Sequence, residues 1–122
     1  IAAERAGCDG IVVSNHGGRA LDHTPGTIEV LPAIAAQVKG RMAVLMDGGI
    51  RDGLDVLKAL AFGADAVLIG RPFCLAAVGG GSEGVKLTAD HLYNQLVRSM
   101  VLTGFPSVRE AGRHLVSTAP LA

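Results

Sequence analysis

Tryptophan is absent from this chain, and aromatic side chains make up only 3% of its 122 residues. The core is therefore expected to be aliphatic, built from Val, Leu, Ile and Ala. Neither sign of charge is in excess: 11 Lys and Arg balance 11 Asp and Glu, and the sequence pI is about 7.1. That balance argues against a nucleic-acid partner and against an anionic membrane surface, since both select a basic patch. No apolar run reaches the roughly 18 residues of a membrane span, so no membrane segment is expected. Cysteine is scarce. Cys8 and Cys74 lie far apart, with no CxxC or Cys/His ligand spacing. Both are expected to be reduced, packed thiols, in keeping with a cytoplasmic location. No metal site is expected either, because His16, Asp22 and His23 offer neither a helical i,i+4 pair nor a fourth ligand.

What is present is an apolar chain with regular punctuation. Hydrophobic residues make up 49%, charged residues 18%, and mean hydropathy is +0.41. Such a composition suits a segment buried on several sides and excludes a disordered one. The opening residues, IAAERAG, have the form of a helix ending at Gly7. A domain rarely begins inside a helix, so residues 1–122 are expected to form a single partial domain of something longer.

Three short apolar runs alternate with helical patterns. The runs are Ile11-Val12-Val13, Ala43-Val44-Leu45-Met46 and Ala66-Val67-Leu68-Ile69. Continuous apolar runs separated by helices predict a parallel sheet buried on both faces. Between them, the pattern predicts a helix over 27–40, with Leu31, Ile34, Ala35 and Val38 on one face. A second is predicted over 52–62, with Asp52 as N-cap and Gly63 as stop. Pro72 can open a short helix that Gly79-Gly80-Gly81 breaks, and a longer helix follows over about 83–103. On that helix Tyr93 is expected to be packed, and His91 and His114 to lie on helix surfaces. Ser107 to Glu110 has the S-x-x-E form of a capping box and opens a last short helix. Strand starts fall roughly 23 to 32 residues apart, near the size of one βα unit.

Each strand run ends in a polar, glycine-rich loop: SNHGG, DGGIR and GRP. In α/β folds, ligands sit at these carboxyl ends of the strands. Gly48 and Gly49 let the backbone approach an oxyanion, and Arg51 adds a fork of N–H donors suited to phosphate. Gly70 and Arg71 repeat the arrangement one strand later, where a helix opened by Pro72 would aim free N–H groups at the same point. Asp47 would repel a phosphate and is better suited to accept from sugar-alcohol hydroxyls. In the first loop, His16 is placed to take a proton, and Arg19 three residues on is suited to an anionic substrate. The bland alternative is ordinary βα turns with solvated arginines and a structural histidine.

SNHGGRALD, DGGIR and GADAVLIGRP, in this order and spacing, resemble the FMN-dependent 2-hydroxy-acid dehydrogenase and oxidase family. That family includes glycolate oxidase, lactate oxidase, mandelate dehydrogenase and flavocytochrome lactate dehydrogenases. The resemblance runs from near Ile1 through Glu110. It implies an α/β fold comprising the C-terminal portion, about the last three βα units plus tail helices, of a TIM (β/α)8 barrel. It implies FMN as cofactor and a small (S)-2-hydroxy acid as substrate, oxidised to the 2-oxo acid. It further implies that His16 is the catalytic base and binds substrate together with Arg19, which holds the carboxylate. Ser14 is implied to contact the flavin. Asp47, Gly48, Gly49, Ile50 and Arg51 would contact the ribityl chain and phosphate, and Gly70 and Arg71 would complete the phosphate site.

One departure is visible, Ala20 where the family commonly has Gln. An Asp, a Tyr and a Lys that complete the family's site belong to earlier strands and have no counterpart here. The chain alone is therefore expected to bind FMN weakly and to turn over little, and the parent to be a homo-oligomer. Alternatives are another phosphate-binding barrel, such as a nucleotide dehydrogenase or an FMN-dependent isomerase, and a non-catalytic, self-associating fragment. GGGSEG over 79–84 fits G-x-G-x-x-G only literally, because it follows a helix and not a strand. Ser14, His16 and Asp22 share no nucleophile elbow and are not read as a triad.

Overall fold

The computed structural model of the chain describes residues 1–38 and 40–112. Short apolar segments pair into a three-stranded, wholly parallel sheet in the order β1-β2-β3. The strands are β1 (Gly10–Val13), β2 (Ala43–Met46) and β3 (Ala66–Val67). Gly10 stands opposite Ala43 and Val13 opposite Met46; Leu45 stands opposite Ala66. β3 stops two residues short of the apolar run that predicts it. Leu68 N–H still reaches the Met46 carbonyl at 2.9 Å, but there the chain leaves the ladder for the turn at Gly70.

The helices follow the caps written in the sequence. α1 spans Ala2–Arg5, α2 Thr27–Val38, α3 Gly53–Ala61 and α4 Arg71–Thr103. Asp52 caps α3, its carboxylate accepting from Asp55 N–H at 2.8 Å, and the chain leaves that helix at Gly63 with φ +107. α4 holds the break expected at its glycines: Gly81 takes φ 55 and ψ −142, a non-helical conformation. Beyond the break the chain turns so tightly that a Cβ on Gly84 would lie 2.4 Å from the Ala76 carbonyl oxygen. The last turn, Val108–Glu110, is a 3-10 helix opened by Ser107, whose hydroxyl accepts from Arg109 N–H. His114, expected on a helix surface, lies outside the described residues.

The core is aliphatic, as the shortage of aromatics requires. Val13, Val44, Met46 and Ile50 from the sheet side meet Leu31 and Val38 of α2 and Ala59 of α3. Asp65 holds the start of β3 against β2: its N–H donates to the Val44 carbonyl at 2.7 Å, and its carboxylate accepts from Val44 N–H at 2.7 Å.

Three expectations about packing are corrected. The sheet is not buried on both faces, since Val12 of β1 and Leu68 just past β3 are exposed. Cys8 and Cys74 are exposed free thiols, and Tyr93 is 66% exposed. Cys8 sits in the turn before β1. Cys74 and Tyr93 lie on α4, which packs on α3 with Leu92 buried and leaves both of these residues exposed.

Candidate functional site

All three strands point their carboxyl ends at one cleft of about 350 Å3. His16, Gly17 and Arg19 line it from the loop after β1, and Asp47 to Arg51 from the loop after β2. Leu68, Ile69, Gly70 and Arg71 close it after β3. Every residue expected in the site lines this cleft except Ser14, which lies at the root of the first loop.

The first loop is built around local hydrogen bonds. The Ser14 hydroxyl accepts from His16 N–H at 3.1 Å. The Asn15 carboxamide oxygen accepts from Gly17 N–H at 3.0 Å, and its NH2 donates to the Pro25 carbonyl at 3.2 Å. These contacts hold His16 at φ 55, a left-handed conformation that non-glycine residues adopt at a cost. Gly17 and Gly18 follow in the same region, at φ 68 and 70. The imidazole is thus carried on an exposed, tightly wound turn beside the cleft.

The second loop is pinned at its root. Asp47 N–H donates to the Val13 carbonyl at 3.1 Å, and the Asp47 carbonyl accepts from the Thr27 hydroxyl at 2.6 Å. With both backbone groups fixed, the carboxylate is left with Oδ1 buried and without a hydrogen-bond partner. A buried, unpartnered acceptor is costly, and such an atom at a cleft marks where a donor is received. Gly48 and Gly49 follow at φ 87 and 80. Arg51 N–H donates to Asp55 and its guanidinium to the Ile50 carbonyl at 2.8 Å.

The third loop brings a helix end. Gly70 caps α4 with no side-chain bond, and proline follows within the first turn. The free N–H groups of that turn carry the positive end of the helix. Arg71 Nη2 comes within 4.0 Å of where a Cβ on Gly17 would lie, so the first and third loops meet across the cleft. Arg19, Arg51 and Arg71 form no ion pair among the described residues, whereas Arg41 and Lys58, elsewhere, do. Three unpaired guanidiniums around one carboxylate and one imidazole make a cleft suited to an anion. No group of three or more His, Cys, Asp or Glu able to hold a metal occurs among the described residues. No described helix is long and apolar enough to cross a membrane.

Asn15 and Thr27 shape the loops of this cleft through their hydrogen bonds, and neither is marked by the sequence pattern. Asn15 lies inside the SNHGG motif, and the Thr27 partner lies twenty positions away, where no spacing rule reaches.

Known proteins resemble this chain in sequence and in fold. A peroxisomal (S)-2-hydroxyacid oxidase of Arabidopsis thaliana is 50% identical over 118 residues, covering 97% of this chain and 32% of that protein. An L-lactate oxidase of Lacticaseibacillus rhamnosus is 52% identical over 118 residues, with the same coverage of 97% and 32%. A mandelate oxidase solved with benzoyl-formic acid superposes with a TM-score of 0.88 at 50% identity, covering 92% of this chain and 33% of that one. A mandelate oxidase variant bearing a monooxide FMN adduct gives 0.89 at 50% identity, covering 92% and 36%. The chain spans about a third of the length of these relatives. The FMN-dependent dehydrogenase family matches residues 1–118, and the chain belongs to that family.

Proposed function

We propose that this chain is the C-terminal portion of the (β/α)8 barrel of an FMN-dependent (S)-2-hydroxy-acid oxidase or dehydrogenase, and that it supplies one wall of the active site. The observation that carries the reading is the shared cleft: an imidazole and a guanidinium from one loop face an orphaned carboxylate oxygen and two further guanidiniums from the next two.

The residues fit FMN. Asp47 Oδ1 is buried and short of a donor, as a contact to a ribityl hydroxyl requires. Gly49 has open space where a Cβ would lie and leaves room for close approach to the backbone of the Gly48-Gly49 turn, and the α4 N-terminus with Gly70, Arg71 and Arg51 suits a phosphate. Ile50 contributes through its backbone, its side chain being buried in the core. Ser14, at the root of the first loop, would face the ring. When bound, FMN supplies the two-electron acceptor for oxidising a 2-hydroxy acid to a 2-oxo acid.

The protein's part is to bind, orient and move a proton. Arg19 holds the substrate carboxylate through paired N–H donors. That contact brings the substrate's C2 and hydroxyl to His16, which takes a proton from one of them as general base. Because the other barrel strands are needed to enclose the site, the chain alone would hold FMN weakly and turn over little. The full-length protein is proposed as a homo-oligomer, testable by light scattering. A cytoplasmic location is proposed for it; two Arabidopsis relatives are named as peroxisomal, and cell fractionation separates the two compartments.

Arg19→Lys in the full-length flavoprotein tests the reading. Losing the bidentate contact is expected to raise KM for the 2-hydroxy acid about tenfold or more, with FMN still bound. An unchanged KM would remove Arg19 from the substrate site and return the cleft to a general phosphate-binding barrel.

A further inference from the structure

We propose that Thr27 is a positioning residue for the cofactor: its hydroxyl locks the Asp47 backbone so that the carboxylate is presented to the cleft. The inference rests on the reading that Asp47 receives a hydroxyl of FMN.

Thr27 is the first helical residue of α2, one position past the N-cap place, so its hydroxyl is not committed to capping its own helix. The Oγ1–H donates across the sheet to the Asp47 carbonyl at 2.6 Å, at the root of a different loop. Glu29 takes over part of the local capping, its carboxylate accepting from Gly26 N–H at 3.2 Å. Thr27 is 5% exposed, and it is the buried polar side chain of the described core. A hydroxyl held there has no water to exchange with, so its bond to Asp47 is hard to replace.

The consequence for Asp47 is geometric. Its N–H is bound to Val13 and its carbonyl to Thr27, which fixes the peptide planes on both sides of its Cα. Gly48 packs against the same hydroxyl, since a Cβ there would lie 3.0 Å from Thr27 Oγ1. Asn15 Oδ1 stands 3.7 Å from that same point, so the base-bearing loop abuts the same junction. Thr27 thus couples the orientation of Asp47 to the frame of β1 and β2.

The test uses full-length apoprotein and fluorescence titration with FMN and with riboflavin, which shares the ribityl chain and lacks the phosphate. Thr27→Val keeps the shape and removes the donor; Thr27→Ser keeps the donor. The valine variant is expected to weaken both flavins by a similar factor, about fivefold, and the serine variant to stay near the wild type. Arg71→Ala should weaken FMN alone. In an Asp47→Ala background, Thr27→Val should have no further effect on either flavin, because the group it orients is gone. A purely structural role would lower thermal stability equally in both backgrounds and would leave flavin affinity additive, and that result overturns the proposal. Unchanged flavin affinity in Thr27→Val, beside a loss in Asp47→Ala, also overturns it while sparing the FMN reading. A wild-type protein that binds neither flavin overturns both.

Discussion

Gly53 is where the fold has the least room, and replacing it by alanine should cost more than any other single methyl. It is the first residue of α3, and it meets α4 backbone to backbone. An added Cβ would lie 2.1 Å from Leu96 N, 2.6 Å from the Gln95 carbonyl carbon and 2.6 Å from the Leu92 carbonyl oxygen. None of these atoms can turn aside as a side chain can, so the two helices must separate. Forcing extra volume into a packed contact costs roughly 1–3 kcal/mol, and backbone neighbours put this case at the upper end. Separation would also stretch the bond from Gly53 N–H to the Gln95 side chain, now 3.1 Å, at about 1 kcal/mol. Against this, alanine is a better helix former than glycine by about 1 kcal/mol. The balance is a loss of about 3 kcal/mol. Urea unfolding of the full-length protein measures it, with Gly79→Ala as the control of opposite sign. Gly79 lies within α4 with nothing near its would-be Cβ, so there the helix preference acts alone and stability should rise by about 0.5–1 kcal/mol. Because α3 begins directly after the Arg51 loop, Gly53→Ala should weaken FMN binding as well. A Gly53→Ala protein as stable as the wild type would refute the close helix crossing.

Further expectations follow from the caps and the surface. Asp52→Ala removes the α3 cap bond to Asp55 N–H and should cost about 1 kcal/mol, read from the same urea curves. Glu4 is held below the usual carboxylate range by its hydrogen bond and charge contact with Arg41, the Nε–Oε1 distance being 2.6 Å. A lowered folded-state value means the pair's contribution is fully present above the ordinary Glu value and is lost as pH falls through the lowered one. The pair is solvent-exposed, so the effect is small. Glu4→Gln should flatten the acid side of the stability profile and leave neutral pH nearly unchanged, as thermal unfolding between pH 3 and pH 7 would show.

Much of the local structure was legible. The N-cap at Asp52, the stop at Gly63 and the break at Gly81 follow from side-chain and glycine chemistry acting within a few residues. The loops bearing His16, Arg19, Asp47, Arg51 and Arg71 were legible for the same reason, since each follows directly on an apolar run. What failed concerned neighbours. Tyr93 and Cys74 were expected to be packed because such residues usually are, but packing depends on what faces the outer side of α4, and no residue near them in sequence specifies that.

By itself, then, the sequence determined which segments become strands and helices, and which loops carry the charged and basic groups. Hydrophobic period, capping and glycine freedom are local properties, and they act wherever those residues are placed. Only the tertiary structure decided how the three loops relate. The parallel register brings Asp47 beside Val13 and Thr27, and it leaves one carboxylate oxygen buried without a partner. It also brings Arg71 to Gly17 and Gly53 against the backbone of α4. These are contacts between residues 20 to 54 positions apart, and their existence depends on the packing of whole elements, which no short-range pattern encodes.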